Sequence, residues 1–149
     1  MMFRTTRRLI LAGALALAAT PTLAESPVYT VSSNVAASGY DTVAYFVDGR
    51  PVEGSDAFAA DYDGATWRFA SAANRTAFLD DPERFAPQYG GYCAWAVSRG
   101  YTASTDPEAW KIVDDKLYLN YSRSIQARWE QDIPGNIDKG DSNWPDVLN

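Results

Sequence analysis

Apolar positions along this chain come in short runs punctuated by turn formers. Val43-Ala44-Tyr45-Phe46-Val47 is an apolar run of strand length, Asp48-Gly49 is a hairpin-turn pair, and Arg50-Pro51-Val52 is the returning segment. Residues 57–62 and 65–69 flank a second pair, Asp63-Gly64, and place Phe58, Tyr62, Trp67 and Phe69 where a half-buried sheet accommodates aromatics. Ser71 then caps a predicted helix through Leu79, in which Ala73, Ala77 and Phe78 fall at helical spacing, and Asp81-Pro82 ends it. Pro82-Glu83-Arg84-Phe85 predicts one further turn, stopped by Pro87. Residues 91–99 read as a short helix closed by Gly100 in the left-handed cap position, although their alternation also suits a strand. Trp110-Lys111-Ile112-Val113 and Leu117-Tyr118-Leu119 about Asp114-Asp115 predict another hairpin, followed by a helix over 122–131. The tail, 133–149, carries Pro134, Gly135, Gly140 and Pro145 and is expected to wrap the surface, pinned by Trp144 and Val147. These elements make an α+β chain, a small antiparallel sheet of hairpins with short helices, with no visible repeat and no second domain.

Two N-terminal stretches stand apart. Residues 25–39 are rich in Ser, Ala and Val and weakly patterned, which fits an extended lead-in strand or a flexible arm. Before them, Arg4, Arg7 and Arg8 precede the small apolar run 9–19, and Thr22-Leu23-Ala24 is a small-residue cleavage site ahead of Glu25, so residues 1–24 read as a signal peptide. Thr6-Arg7-Arg8-Leu9-Ile10-Leu11 also resembles the twin-arginine export signal; the alternative is an ordinary secretory signal whose charged region happens to pair two arginines. The run is shorter than the roughly 18 apolar residues a bilayer span needs, and no later run reaches that length. The product is expected in a bacterial periplasm or outside the cell, without stable membrane insertion.

Cleavage of 24 residues from 149 leaves 125, one domain by length and large enough for a core without disulfides; residues 40–149 are taken as that domain. Loss of three arginines and no acid shifts the net charge from −6 to −9. Nucleic acid and anionic lipid are disfavoured partners for such a surface, since no Lys/Arg cluster survives to meet a phosphate.

Chemistry is bounded mainly by what is missing. There is no histidine, both methionines lie in residues 1–24, and the one cysteine is Cys93, set in Gln88-Tyr89-Gly90-Gly91-Tyr92-Cys93-Ala94-Trp95-Ala96-Val97. No Gly-x-Ser-x-Gly elbow and no Gly-rich nucleotide loop appears, and Lys111, Lys116 and Lys139 are the only lysines a serine could recruit. Asp80-Asp81 and Asp114-Asp115 sit at turns or helix ends, where Asp bonds the backbone. Asp132, Asn136, Asp138, Asp141 and Asn143 match no calcium loop. Cys93 has two readings: a first-turn thiolate with lowered pKa that reacts or binds metal, or a small core residue whose pKa is raised by burial. Trp67, Trp95, Trp110, Trp129 and Trp144, with nine tyrosines, supply either a core or the walls of a small-molecule pocket. Tyr89, Tyr92, Trp95 and Tyr101 flank Cys93, so a pocket is expected to open there.

Tyr40-Asp41-Thr42-Val43-Ala44-Tyr45-Phe46, Gly64-Ala65-Thr66-Trp67-Arg68-Phe69-Ala70-Ser71 and Phe78-Leu79-Asp80-Asp81-Pro82-Glu83-Arg84-Phe85 together resemble the YHS domain, a small treble-clef-related module. The resemblance covers residues 40–85. Residues 89–144 look like the C-terminal hairpin-helix extension of a periplasmic subgroup. The resemblance implies heavy-metal handling, copper transport included, or a role beside oxygenases. In metal-type members a cysteine ends the first motif, and Cys-Ser-x-x-Cys or Cys-Ser-x-x-His opens the helix. Here Ala44 takes the first position, and the second group reads Ala70-Ser71-Ala72-Ala73-Asn74. A methyl group donates nothing to zinc or copper, so the family's metal site does not carry over.

The chain therefore reads as an exported, non-enzymatic binding or interaction module with no cofactor of its own, binding a protein or small molecule through Cys93, Tyr89, Tyr92, Trp95 and Tyr101. One alternative is a copper accessory protein in which Cys93 is shared across a homodimer or with a partner. The other is a thiol-dependent redox protein.

Overall fold

The computed structural model describes residues 13–17 and 23–149. Most of the expected signal peptide, with its arginine pair, lies outside them; Leu15, Leu17 and Leu23 are fully exposed. The lead-in segment forms strands β1 (Thr30–Val31) and β2 (Val35–Ala36). The following hairpin consists of β3 (Ser55–Tyr62) and β4 (Ala65–Phe69), turned by Asp63 and Gly64, both at positive φ. Sheet order is β1-β2-β4-β3, and β2 joins β4 in parallel through Val35 and Thr66, so this sheet is mixed rather than purely antiparallel.

The run 43–47 is not the expected strand. Thr42–Val47 is helix α1, and 48–52 makes no hairpin with it. Asp41 decides the matter: its side chain accepts hydrogen bonds from the Val43 and Ala44 N–H groups and so caps a helix. Four successive residues, Thr42 to Tyr45, are buried, so the first turn of the helix shows no polar face and its sequence imitates a buried strand. Helices α2 (Ala72–Asp80) and α3 (Pro82–Phe85) follow as expected, capped by Ser71 and Asp81.

Beyond a 3-10 turn at Gln88–Gly91 come helix α4 (Ala94–Ser98), the hairpin β5 (Asp106–Val113) and β6 (Lys116–Asn120), and helix α5 (Arg123–Glu130). The tail is not irregular, as its Pro and Gly content suggested. Ile133–Asn143 is helix α6, whose Asp132 cap accepts from Gly135 N–H and whose Pro134 lies in the first turn, where a missing N–H costs nothing. Trp144 and Val147 do pack against the core there.

These elements form one plan used twice, a repeat that the sequence reading did not find. In the first hairpin Ser55 pairs with Phe69 and Ala59 with Arg68, across a bulge. In the second, Asp106 pairs with Asn120 and Trp110 with Leu119, across a bulge at the same place. Ser71 and Ser122 cap the following helices in extended conformation, and Asp81 and Asp132 cap the next pair with nearly identical φ and ψ. Upstream, Ala37, Ser38 and Gly39 share positive φ with Tyr89, Gly90 and Gly91. The rounds meet at Tyr45, which donates its hydroxyl proton to the Pro107 carbonyl and packs with Leu117, Leu119 and Trp110.

Candidate functional site

The residue after the Gly-Tyr pair that both rounds share, Asp41 in Gly39-Tyr40-Asp41 and Cys93 in Gly91-Tyr92-Cys93, holds the cap position of a short helix. Each fixes its backbone in the same way: Asp41 N–H donates to Val52 O and Cys93 N–H to Ala103 O. Asp41 is 0 % exposed. Its Oδ1 accepts from Val43 N (2.9 Å) and Ala44 N (3.2 Å), and its Oδ2 from Ala70 N (2.9 Å) and Asn74 Nδ2 (2.8 Å). Four donors occupy the carboxylate, and the Asn74 amide is spent on it. Ala44 and Ala70, at the positions where metal-type relatives of the resemblance carry cysteine, offer methyl groups. This donor set does not fit a transition metal. Among the described residues no group of three or more His, Cys, Asp or Glu side chains converges.

Cys93 occupies the matching seat in the second round as the cap of α4, not within its first turn as expected. Its thiol donates to Asn120 Oδ1 (3.6 Å) and its Sγ accepts from Tyr121 N–H (3.3 Å), Tyr121 being the counterpart of Ala70. Asn120 Oδ1 also accepts from Trp95 N–H (3.0 Å). Burial pushes the Cys93 thiol up, while the N–H groups of Ala96, Tyr121 and Trp95 pull the other way. Burial prevails, which favours the core reading of Cys93 over the thiolate one.

A cavity of about 220 Å³ opens over this sulfur, lined by Cys93, Trp95, Ala96, Tyr101, Ala103, Tyr121 and Ile125. Cys93 is 1 % exposed, whereas Tyr101 (52 %) and Tyr121 (57 %) are exposed at the cavity. Arg99 lies 4.0 Å over the Trp95 ring and covers its outer side. Of the five expected site residues, Cys93, Trp95 and Tyr101 meet here. Tyr89 and Tyr92 do not. Tyr89 donates its hydroxyl proton to Asp141 Oδ1 (2.9 Å) and packs against Tyr118 and Trp144. Tyr92 donates to Ser26 O (2.8 Å) and packs against Tyr29 and Trp144. Burial pushes both phenols up. Tyr89 instead borders a larger cavity of about 470 Å³, shared with Tyr62, Trp67 and Trp144 from both rounds.

Residues 43–89 match the family model of the YHS domain. The chain carries a YHS domain. The match begins inside α1 and ends at Tyr89, where the second round starts, so the matched segment and the second round lie end to end. No curated protein and no solved structure matches the chain. Ala96, Ala103, Tyr121, Ile125 and Asn120 escaped the sequence reading of the site. The signal that could have found them is the pairing of Gly39-Tyr40-x-x-x-Ala44 with Gly91-Tyr92-x-x-x-Ala96, 52 residues on, followed after the loss of one residue by that of Asp63-Gly64 with Asp114-Asp115, 51 residues on, which brings Ala70 onto Tyr121.

Proposed function

We propose that this YHS protein is an exported, non-enzymatic binding module that takes a small, largely apolar ligand in the cavity over Cys93. One observation carries the reading: a cavity walled by aromatic and aliphatic side chains is floored by the sole thiol, with two exposed tyrosines to orient a guest. The first round uses this seat for structure, since Asp41 caps α1 with two bonds and ties it to Ala70, just after β4, and to Asn74 of α2 with the other two. A copper ion bridged by two Cys93 thiolates needs both sulfurs at a surface; a sulfur 1 % exposed favours the binding role over the metal-accessory one.

Export fits the way the body holds its N-terminal region. Among the described residues, hydrogen bonds to the body begin at Glu25, whose N–H donates to Leu148 O (2.8 Å) and whose carboxylate accepts from Thr102 Oγ1 (2.6 Å), while Leu23 stays fully exposed. Among the described residues, those ahead of Glu25 are all exposed, so cleavage there would remove none that is packed. An N-terminus at Glu25 in periplasmic protein supports export, and intact protein retained in the cytoplasm contradicts it.

Ligand binding is tested by saturation-transfer NMR with p-cresol as probe. Wild type is expected to transfer saturation to the aromatic protons, and Ala103→Trp, which fills the cavity, to abolish it. Equal transfer in both proteins contradicts the assignment.

A further inference from the structure

We propose that Cys93 is a modification site, oxidised by a small hydroperoxide to a sulfinate that the surrounding N–H groups hold as an anion. The inference goes beyond ligand binding and holds whether or not the cavity takes a guest. Its first support is the repeat. The equivalent position in the first round carries a carboxylate, and the three backbone donors to Asp41, on Val43, Ala44 and Ala70, have as counterparts Trp95, Ala96 and Tyr121. Of these, Tyr121 N–H donates to Cys93 Sγ, Ala96 N–H favours negative charge on it, and Trp95 N–H is taken by Asn120 Oδ1. The seat is thus the counterpart of one that holds an anion with two oxygens, and a thiol is a weak acceptor there.

Asn120 is the second and independent support. It is wholly buried, its Oδ1 faces Sγ, and its Nδ2 has no hydrogen-bond partner. The fold does not require an amide at this place, because Phe69 occupies it in the first round. Leaving such a buried donor unpaired is costly, because it has given up water without gaining an acceptor. In the first round the fourth donor to Asp41 is the Asn74 amide, whose counterpart, Ile125, has none. Asn120 therefore offers the second seat a side-chain amide from another position; its Oδ1 faces the thiol, and a turn of the amide on oxidation would bring Nδ2 to an oxygen on Sγ and release Trp95 N–H for the same anion.

The steps balance. Cys93 sulfur attacks the nearer peroxide oxygen; an S–O bond forms as O–O breaks, and the thiol proton leaves with the departing oxygen as water, or as alcohol from an alkyl hydroperoxide. Sulfur is oxidised and peroxide reduced. With no other cysteine in the chain to close a disulfide, the sulfenate consumes a second hydroperoxide in the same way and becomes the sulfinate. The depth of Sγ selects small reagents, and the raised thiol makes the first step slow.

Purified folded protein is treated with hydrogen peroxide and mapped by peptide mass spectrometry. The expected result is a gain of about 32 Da, two oxygens, on the Cys93 peptide, with a thermal midpoint no lower than that of the reduced protein. Cys93→Asp, which places a carboxylate in the seat, is expected to melt at or above Cys93→Ala. Cys93 left unmodified in folded protein but oxidised once unfolded overturns the proposal, and so does Cys93→Asp melting well below Cys93→Ala.

Discussion

Asp41 shows how much one side chain carries. It caps α1 with Oδ1 and ties β4 and α2 to that cap with Oδ2. Asp41→Ala loses the cap and strands several buried donors, so it is expected to cost about 3 kcal/mol in urea unfolding; a loss under 1 kcal/mol would deny it this role. At Cys93 the raised thiol sets a pH dependence. The group stays protonated in the folded state at pH values where the unfolded thiol has ionised. Alkylation of folded protein is therefore expected to lag behind that of unfolded protein from neutral pH up through the ordinary thiol range, the difference closing only above the raised value. Equal rates would show that burial does not govern the sulfur.

At the scale of elements, α6 exists because its cap and its contacts outweigh its composition. Gly140 is one reason: a Cβ there would meet Tyr89 Oη at 2.5 Å and Cζ at 2.7 Å. Although alanine is the better helix former, Gly140→Ala is expected to destabilise by about 2 kcal/mol, as thermal unfolding would show; a gain would mean that the tyrosine yields freely. The two elements that the sequence misread, α1 and α6, have a shared cause. Each is started by an aspartate cap, Asp41 or Asp132, that local patterning undervalues, and the residues after it lack an amphipathic signature, by total burial in one case and by proline and glycine in the other. The hairpins at Asp63-Gly64 and Asp114-Asp115, and the helices after Ser71 and Ser122, were legible because turn, cap and periodicity agree there. Cys93, Trp95 and Tyr101 were found by nearness along the chain. Tyr121 and Ile125 reach the cavity only through the β5-β6 hairpin and α5, which nearness cannot show.

For the whole molecule, the two rounds are joined by side chains that neither could bury alone. Tyr45 of the first round packs into Leu117, Leu119 and Trp110 of the second, and Arg84 pairs with Asp115 at 3.2 Å. Thermal unfolding is expected to follow one transition for both rounds; two separated transitions would show that they fold independently. Alkali should act on this same body. Tyr118 is pushed up to about 12, by burial first and then by Asp141 and Asp114, and burial likewise raises Tyr45 and Tyr89. A folded-state value above the unfolded 10 means that stability is full below pH 10 and falls as pH rises through 10 toward 12. Stability unchanged across that interval would contradict this burial.

Cys93 lies at the floor of a ligand-sized cavity, and both its ligand and its oxidation depend on that position. Thiol labelling measures this most directly, with methyl methanethiosulfonate as a small reagent and Ellman's disulfide as a bulky one, on wild type and Ala103→Trp. The small reagent is expected to modify folded wild type and to be shut out by Ala103→Trp, while the bulky one reacts only after unfolding. Labelling of folded wild type by the bulky reagent as fast as unfolded protein, or by the small one regardless of Ala103→Trp, would contradict the account.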